Sequence, residues 1–205
     1  MKQFSHKDFN YVAGLDEAGR GCLAGPVVAS AVVLPENCEI EGLRDSKKLS
    51  EADRLRLRSV IEEIALDWCV TFVDEQEIDE LNILNASFLA MNRSVHFLAG
   101  QPDYLLVDGN RFIKDHFIPH QCVVKGDDTY LSIAAASVLA KTYRDEYMEG
   151  LSSLFPEYNW QSNKGYPTKT HVEALKKFGL SDHHRRSYKP CKEIMTVHSA
   201  EYKTV

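Results

Sequence analysis

The stretch Tyr11-Val-Ala-Gly-Leu-Asp16-Glu17-Ala-Gly19-Arg20-Gly21-Cys-Leu-Ala-Gly25-Pro26-Val-Val constrains the chain most. It opens and closes as an apolar strand. Between the strands stand two adjacent carboxylates, then three glycines within seven residues. A plain hairpin needs only two to five loop residues and gains nothing from a charged pair before its turn. Glycines let backbone approach a ligand closely. Carboxylates at a strand end point to a metal ion or a metal-bound phosphate as that ligand. An isolated Asp-Glu pair is ordinarily an exposed turn; the surrounding glycines set this one apart.

Two familiar phosphate loops do not fit. Gly14 to Gly19 has Walker A spacing, but Arg20 and Gly21 stand where Lys and Ser/Thr are required. Gly19-x-Gly21-x-x-Ala24 matches a loose dinucleotide fingerprint, which needs a helix to follow. Here Gly25-Pro26 is followed by Val-Val-Ala-Ser-Ala-Val-Val-Leu, a strand pattern. Two carboxylates would also repel a bare phosphate unless a divalent cation lay between.

At 205 residues the chain has the length for one domain with a sizeable core and a small appendage. Its longest apolar runs are strand-length, so no membrane span is expected, and the N-terminus has no apolar signal core. Five scattered cysteines without a Cys-x-x-Cys pair argue against a disulfide framework or zinc knuckle and for a reducing, cytoplasmic compartment. The net charge of −6 is unevenly spread. Residues 1–120 carry 12 basic and 20 acidic side chains; residues 121–192 carry 11 and 8, so the later part can present a basic face.

The pattern predicts strands over 10–16, 26–34 and 68–73. Ser50 with Asp53 makes a near capping box for a helix to about residue 67. Residues 74–100 read as one or two helices. Tyr104-Leu-Leu-Val-Asp108 is a buried-strand run ending in a carboxylate, followed by Gly109-Asn110. Cys122-Val-Val-Lys125-Gly126-Asp127-Asp128 repeats that arrangement. A small-residue helix follows from Leu131 to about Gly150. Asp127 or Asp128 near its start also fits a structural cap. Residues 156–167 read as a loop, and Thr168 or Thr170 starts a helix reaching Phe178. His183-His184-Arg185-Arg186 reads as a phosphate contact or plain surface. The tail after Pro190 has no functional reading.

Four carboxylates, Asp16, Glu17, Asp108 and Asp127, therefore close strands or sit in glycine turns. Brought together they would repel and hold raised pKa values unless cations lay among them. Two divalent ions about 4 Å apart would relieve the repulsion and clamp an in-line phosphoryl displacement. Oxygen-only ligands suit Mg²⁺ or Mn²⁺.

At these residues the sequence resembles ribonuclease HII, the type 2 ribonuclease H family, over about residues 10–190. The motifs are Gly-Leu-Asp16-Glu17-Ala-Gly-Arg-Gly-x-Leu-Ala-Gly-Pro-Val-Val, Asp45-Ser-Lys-Lys-Leu-Ser, Val-Asp108-Gly-Asn, Lys125-Gly-Asp127, Ala-Ala-Ala-Ser-x-Leu-Ala-Lys, Lys164-Gly-Tyr166-Pro-Thr and His184-Arg-Arg-Ser. The resemblance implies an α/β, ribonuclease H-like fold: a mixed five-stranded sheet flanked by helices. The core would span about 10–150, with a small C-terminal helical extension for substrate over about 151–190 and a short tail, 191–205. It implies a metal-dependent endoribonuclease, Mn²⁺ or Mg²⁺ being the cofactor, that cuts the RNA strand of RNA–DNA hybrids. It further implies cutting 5′ of single ribonucleotides embedded in duplex DNA, leaving 3′-OH and 5′-phosphate ends, in DNA replication and repair. The expected state is monomeric.

Carried over, Asp16, Glu17, Asp108 and Asp127 match the metal-binding acids. Gly19-Arg20-Gly21 matches the loop that feels for the ribose 2′-OH, the group that separates RNA from DNA. Tyr166 matches the tyrosine that packs on the sugar beside the scissile junction and checks for RNA followed by DNA. Lys47 would hold a backbone phosphate; Arg144, Lys164, Arg185 and Ser187 are further candidates for duplex contacts. Two positions depart from the pattern: Cys22, where proline is common, and Asp128, where a small residue is usual. Asp128 puts two acids in that motif, of which the pattern assigns Asp127 to the metal.

Overall fold

The protein's structure, a computed structural model, describes residues 1–4, 8–113 and 116–201, with side chains described up to Thr196. Strand β1 (Val12–Ala18) runs antiparallel to β2 (Val27–Val33), joined by the glycine loop. All seven residues of β2 are buried, as its uncharged Val/Ala composition requires. Helix α1 (Glu51–Ile64) begins at Ser50, whose hydroxyl accepts from the Asp53 amide at 3.1 Å and donates to the Asp53 carboxylate at 2.6 Å. Strand β3 (Asp67–Val73) pairs antiparallel with β2. The stretch after it forms two helices, α2 (Glu75–Leu81) and α3 (Ile83–His96). The break is at Asn82, which adopts φ of 67° and caps the amides of Leu84 and Asn85 with its side chain.

Strands β4 (Tyr104–Asp108) and β5 (His120–Val123) complete a mixed sheet of order β3-β2-β1-β4-β5. β1 with β4, and β4 with β5, are parallel. The 24-residue helix α4 (Leu131–Leu154) then crosses the sheet. It packs with α1 on one face, with Val32, Leu57, Ile61 and Leu139 among the buried residues; α3 covers the other face over Leu15, Ala31, Val73 and Leu105.

Gly14 explains how closely α4 approaches. A Cβ there would overlap the backbone of Ser132 and Ile133. Backbone cannot swing aside as a side chain can, so Gly14→Ala is expected to push α4 off β1. The expected cost is about 2–3 kcal/mol, a fall in thermal midpoint of roughly 4–12 °C in a melting experiment. An unchanged midpoint would show that the contact has slack.

The C-terminal part packs as a third cluster. Residues 156–167, expected as a loop, contain a 3₁₀ turn (Pro156–Tyr158) and a short helix α5 (Trp160–Asn163). Trp160 anchors them; it is fully buried with Met148, Tyr158 and Leu175. Thr168, not Thr170, caps helix α6 (Lys169–Phe178). The tail continues as helix α7 (Lys189–Glu201), docked through buried Cys191. All five cysteines are free thiols. Among the described residues, no helix is long and apolar enough to cross a membrane.

Candidate active site

The sheet topology gathers the acids. β1 and β4 are neighbouring parallel strands, and Leu15 pairs with Val107. Asp16 and Asp108, one residue further on, thus sit side by side on the carboxyl-end rim, where α/β sheets present their sites. Asp16 is 5% exposed. One of its oxygens, Oδ1, accepts the Glu17 amide at 2.7 Å, and the Ser137 hydroxyl of α4 faces the same carboxylate and favours its charged form. Asp108 is oriented by the Gly126 amide, 2.7 Å from Oδ1. The 3₁₀ turn Gly126–Asp128, after β5, brings Asp127 to the rim with 5% exposure.

The charges behave as a crowded set. Burial first, then Glu17 and Asp108, holds the Asp16 carboxyl well above the usual carboxylate range. Burial also raises Glu17, against the opposing pull of Arg20, whose Nη1 lies 3.1 Å from Glu17 Oε1. Burial and then Asp108 raise Asp127, with Lys47 working against them.

Asp127 and Asp128 separate clearly. The Asp128 carboxylate turns outward and pairs with Lys48 at 2.7 Å. That ion pair ties the Gly126–Asp128 turn to the 3₁₀ turn Ser46–Lys48. Asp45 caps the latter by accepting the Lys47 amide at 2.9 Å. Lys47 follows as a mostly exposed ammonium, 3.5 Å from Asp127. Burial disfavours its charge, but Asp127, Asp16 and Asp45 outweigh that and raise its pKa.

Two of the residues expected at the duplex surface have other work. Arg144 and Arg185 are fully buried. Arg144 donates through Nε to the Pro26 carbonyl (3.0 Å), through Nη2 to Ala24 (3.0 Å) and through Nη1 to Lys164 (2.8 Å). Arg185 donates through Nε and Nη2 to Gly25 and through Nη1 to the Arg20 carbonyl. Their guanidiniums brace the glycine loop from beneath, so neither reaches solvent to touch a duplex. Lys164 is also engaged, on Glu149 and the Gln161 carbonyl. The backbone amide of Ser187 donates to Asp79 at 2.8 Å. Nor is His183-His184 plain surface: His184 is buried and hydrogen-bonded within the C-terminal cluster.

The glycine loop is shaped by this bracing. Gly19 has φ of +95°, and a Cβ there would overlap the Arg144 guanidinium. Gly21 faces open space. Tyr166, 38% exposed, stands beside the loop, its ring centroid 5.7 Å from Lys141 Nζ and 5.9 Å from Arg144 Cζ. The buried Cys22 thiol is a neighbour of its hydroxyl and, after burial, helps to raise the Tyr166 pKa, so the departure at Cys22 falls beside the tyrosine.

Sequence reasoning missed Ser137. Its hydroxyl lies 2.9 Å from the buried Ser46 hydroxyl as well as contacting Asp16. It therefore links the acid rim to the lysine turn. The Ala-Ala-Ala-Ser137 motif carried the signal: one polar residue in an otherwise apolar, tightly packed helix face has to find a partner.

The donor set suits a hard divalent cation: oxygen only, buried, and mutually repelling without one. Among the described residues no three acid, thiol or imidazole groups make a ready-formed cage. Magnesium does not require one, since it keeps several waters and binds through one or two carboxylates plus substrate phosphate oxygens.

Fold and rim together define a nucleic-acid hydrolase of the ribonuclease H-like class. The solved ribonuclease H2 of Pyrococcus horikoshii OT3 superposes with a TM-score of 0.79 at 28% identity, covering 93% of this chain and 99% of that one. The ribonuclease HII family model matches residues 13–191. The ribonuclease HII of Christiangramia forsetii is 57% identical over 87% of this chain and 90% of its own length. That of Parabacteroides distasonis is 56% identical over 90% and 93%. The chain belongs to the ribonuclease HII family and is a hydrolase, an endoribonuclease acting on RNA–DNA hybrids.

Proposed function

We propose that this chain also cuts DNA duplexes on the 5′ side of a single embedded ribonucleotide, and so removes misincorporated ribonucleotides. The bond broken joins the bridging 3′-oxygen to phosphorus. Water supplies the hydroxyl that stays on phosphorus, so the products are a 3′-OH and a 5′-phosphate. Asp16, Glu17, Asp108 and Asp127 would hold divalent cations, Mg²⁺ or Mn²⁺. Such cations supply charge neutralisation at the phosphate and a more acidic water. Glu17 and the Gly126 amide hold Asp16 and Asp108 in orientation through their hydrogen bonds. Lys47 meets a non-bridging phosphate oxygen. The exposed backbone of Gly19-Arg20-Gly21 reads the 2′-OH, and Tyr166 packs on the sugar beside the junction, where RNA gives way to DNA.

The observation that carries this reading is the bracing by Arg144. One guanidinium holds carbonyls on both sides of the reading site, Ala24 beside the glycine loop and Lys164 beside Tyr166. It extends from α4, the helix whose Ser137 contacts Asp16. Sugar-reading groups and acids thus share one rigid frame, as alignment of a junction with a cleavage site demands.

The test is a labelled DNA duplex with one ribonucleotide, incubated with Mg²⁺, Mn²⁺ or EDTA. Metal-dependent cutting on the 5′ side is expected, reduced about 10³-fold in Asp108→Asn. Tyr166→Ala should lose cutting at the embedded ribonucleotide more than cutting of long hybrids. Cutting of long hybrids alone by the wild type would remove the junction-reading role.

A further inference from the structure

Beneath the Tyr166 turn lies a buried polar chain that takes no part in the acid rim. Trp160 and His171 are fully buried, and His184 is 1% exposed. Trp160 Nε1 lies 3.1 Å from His171 Nε2. His171 Nδ1 lies 2.9 Å from the Tyr166 carbonyl oxygen, and its Nε2 also lies 3.1 Å from His184 Nε2. His184 Nδ1 lies 3.0 Å from the Ser181 amide and 2.9 Å from the Ser181 hydroxyl.

The protons follow from donor chemistry. An indole nitrogen only donates, so His171 Nε2 is the bare nitrogen. Its proton sits on Nδ1 and is donated to the Tyr166 carbonyl. His184 Nε2, facing a bare nitrogen, carries a proton and donates it. His184 Nδ1 is then bare and accepts the Ser181 amide. Protonating either ring further would set N–H against N–H, and burial disfavours the charge as well. Accordingly both histidines are shifted down, His184 to about 3.

This chain ends on the backbone carbonyl of Tyr166 itself. The rest of the turn is held by the Lys164 carbonyl on Arg144, the Gly165 carbonyl on the Leu23 amide and the Gly165 amide on Asn163 Oδ1, while the Tyr166 amide donates to the Asn163 carbonyl and the Tyr166 carbonyl also accepts the Thr168 amide at 2.8 Å. Of these contacts, only that of His171 places a side-chain donor on Tyr166 itself.

We propose that His171 is a positioning residue for ribonucleotide recognition: its Nδ1–H bond to the Tyr166 carbonyl sets the ring over the junction sugar, and His184 selects the required tautomer. The inference rests on the reading of Tyr166 as the sugar contact. A misplaced ring costs turnover at a single embedded ribonucleotide. A long hybrid offers a ribose at every position and tolerates the error.

Two substitutions separate this role from simple packing. In His171→Asn the amide nitrogen falls near the Nδ1 position and keeps the donor to Tyr166. In His171→Gln the amide reaches the Nε2 position and keeps the contacts with Trp160 and His184, but removes the side-chain donor from the Tyr166 carbonyl, which keeps only the Thr168 amide. Cleavage of a one-ribonucleotide duplex and of a long hybrid is measured for both variants, the wild type and Tyr166→Ala. His171→Gln is expected to lower the embedded-to-hybrid ratio of kcat roughly tenfold, a loss of about one hydrogen bond, while His171→Asn holds it within about threefold. Equal ratios in the two variants, when Tyr166→Ala lowers its own, overturn the proposal and leave the Tyr166 reading standing. An unchanged ratio in Tyr166→Ala overturns both. Should either variant fail to fold, nitrogen NMR of the wild-type imidazoles decides. A proton on His171 Nδ1 and on His184 Nε2 supports the proposal, and the opposite tautomer on His171 overturns it.

Discussion

Asp16→Asn is expected to leave a folded protein that melts higher than the wild type in EDTA yet cuts hybrids about 10³-fold more slowly. Asp16 is 5% exposed and shares the rim with Glu17 and Asp108, so its charge is costly without a cation. Asparagine keeps an oxygen for the Glu17 amide. Its amide nitrogen can donate to Ser137, because either hydroxyl of the Ser46–Ser137 pair can supply the shared proton. Removing the buried charge is expected to return at least about 1 kcal/mol, roughly 2–4 °C in midpoint for a chain of this size. The pH dependence has a definite sign. The folded pKa of Asp16 is raised, so the metal-free native state binds more protons than the unfolded chain between the unfolded carboxylate range and the raised value. Wild-type stability therefore falls across that window as pH rises. The gap between variant and wild type is absent in acid, opens through the window and levels off above it. Adding Mg²⁺ should raise the wild-type midpoint and leave the variant nearly unmoved. A variant that melts lower than wild type in EDTA would mean that the Asp16 charge stabilises the metal-free fold.

Arg144→Met is the second large effect, and it acts on the frame instead of the chemistry. The substitution leaves the carbonyls of Ala24, Pro26 and Lys164 without their donor in a closed interior. Breaking a buried charged network in this way costs about 3–5 kcal/mol, which for this chain is a fall of roughly 6–20 °C. Arg144→Lys should recover only a small part, because one ammonium cannot span three carbonyls as the planar guanidinium does. At a temperature where the variant stays folded, cutting at embedded ribonucleotides should suffer more than cutting of long hybrids, since the glycine loop and the Tyr166 turn lose their shared brace. The contrary result is a variant of normal stability whose only defect is weaker, salt-sensitive substrate binding. That would restore Arg144 to the duplex surface, where the family resemblance made it a candidate.

The sequence carried local structure well because local structure has local causes. Ser50 and Asp53 announced the start of α1, and the Thr168/Thr170 pair that of α6, where the structure chooses Thr168. The run 26–34 announced a strand, and the apolar run 104–108 a buried one. The acids Asp16, Glu17, Asp108 and the Asp127-Asp128 pair stood out as candidates because carboxylates at the ends of apolar runs have no reason in packing. The short helical turns of 156–163 were not legible. They follow from the burial of Trp160 against Met148 and Leu175, contacts that no window of neighbouring residues contains.

The cations show the limit most plainly. Arg144, Arg185 and Lys47 all lie in or near recognisable motifs, and a basic residue near a phosphate-directed site reads as a phosphate contact. Lys47 stays mostly exposed, whereas the two arginines are fully buried. The partners that decide this, Ala24 and Pro26 for Arg144 and Gly25 and Arg20 for Arg185, lie well over a hundred positions away in sequence. The sequence by itself determined which residue types supply the chemistry and which segments become strands, since both depend on side-chain identity and short-range pattern. Only the tertiary structure decided which acids meet, which cations face water and which are consumed by carbonyls, and which tautomer His171 holds. Those are consequences of strand register and burial, and the free energy of a charge or a proton depends on the groups that surround it in space.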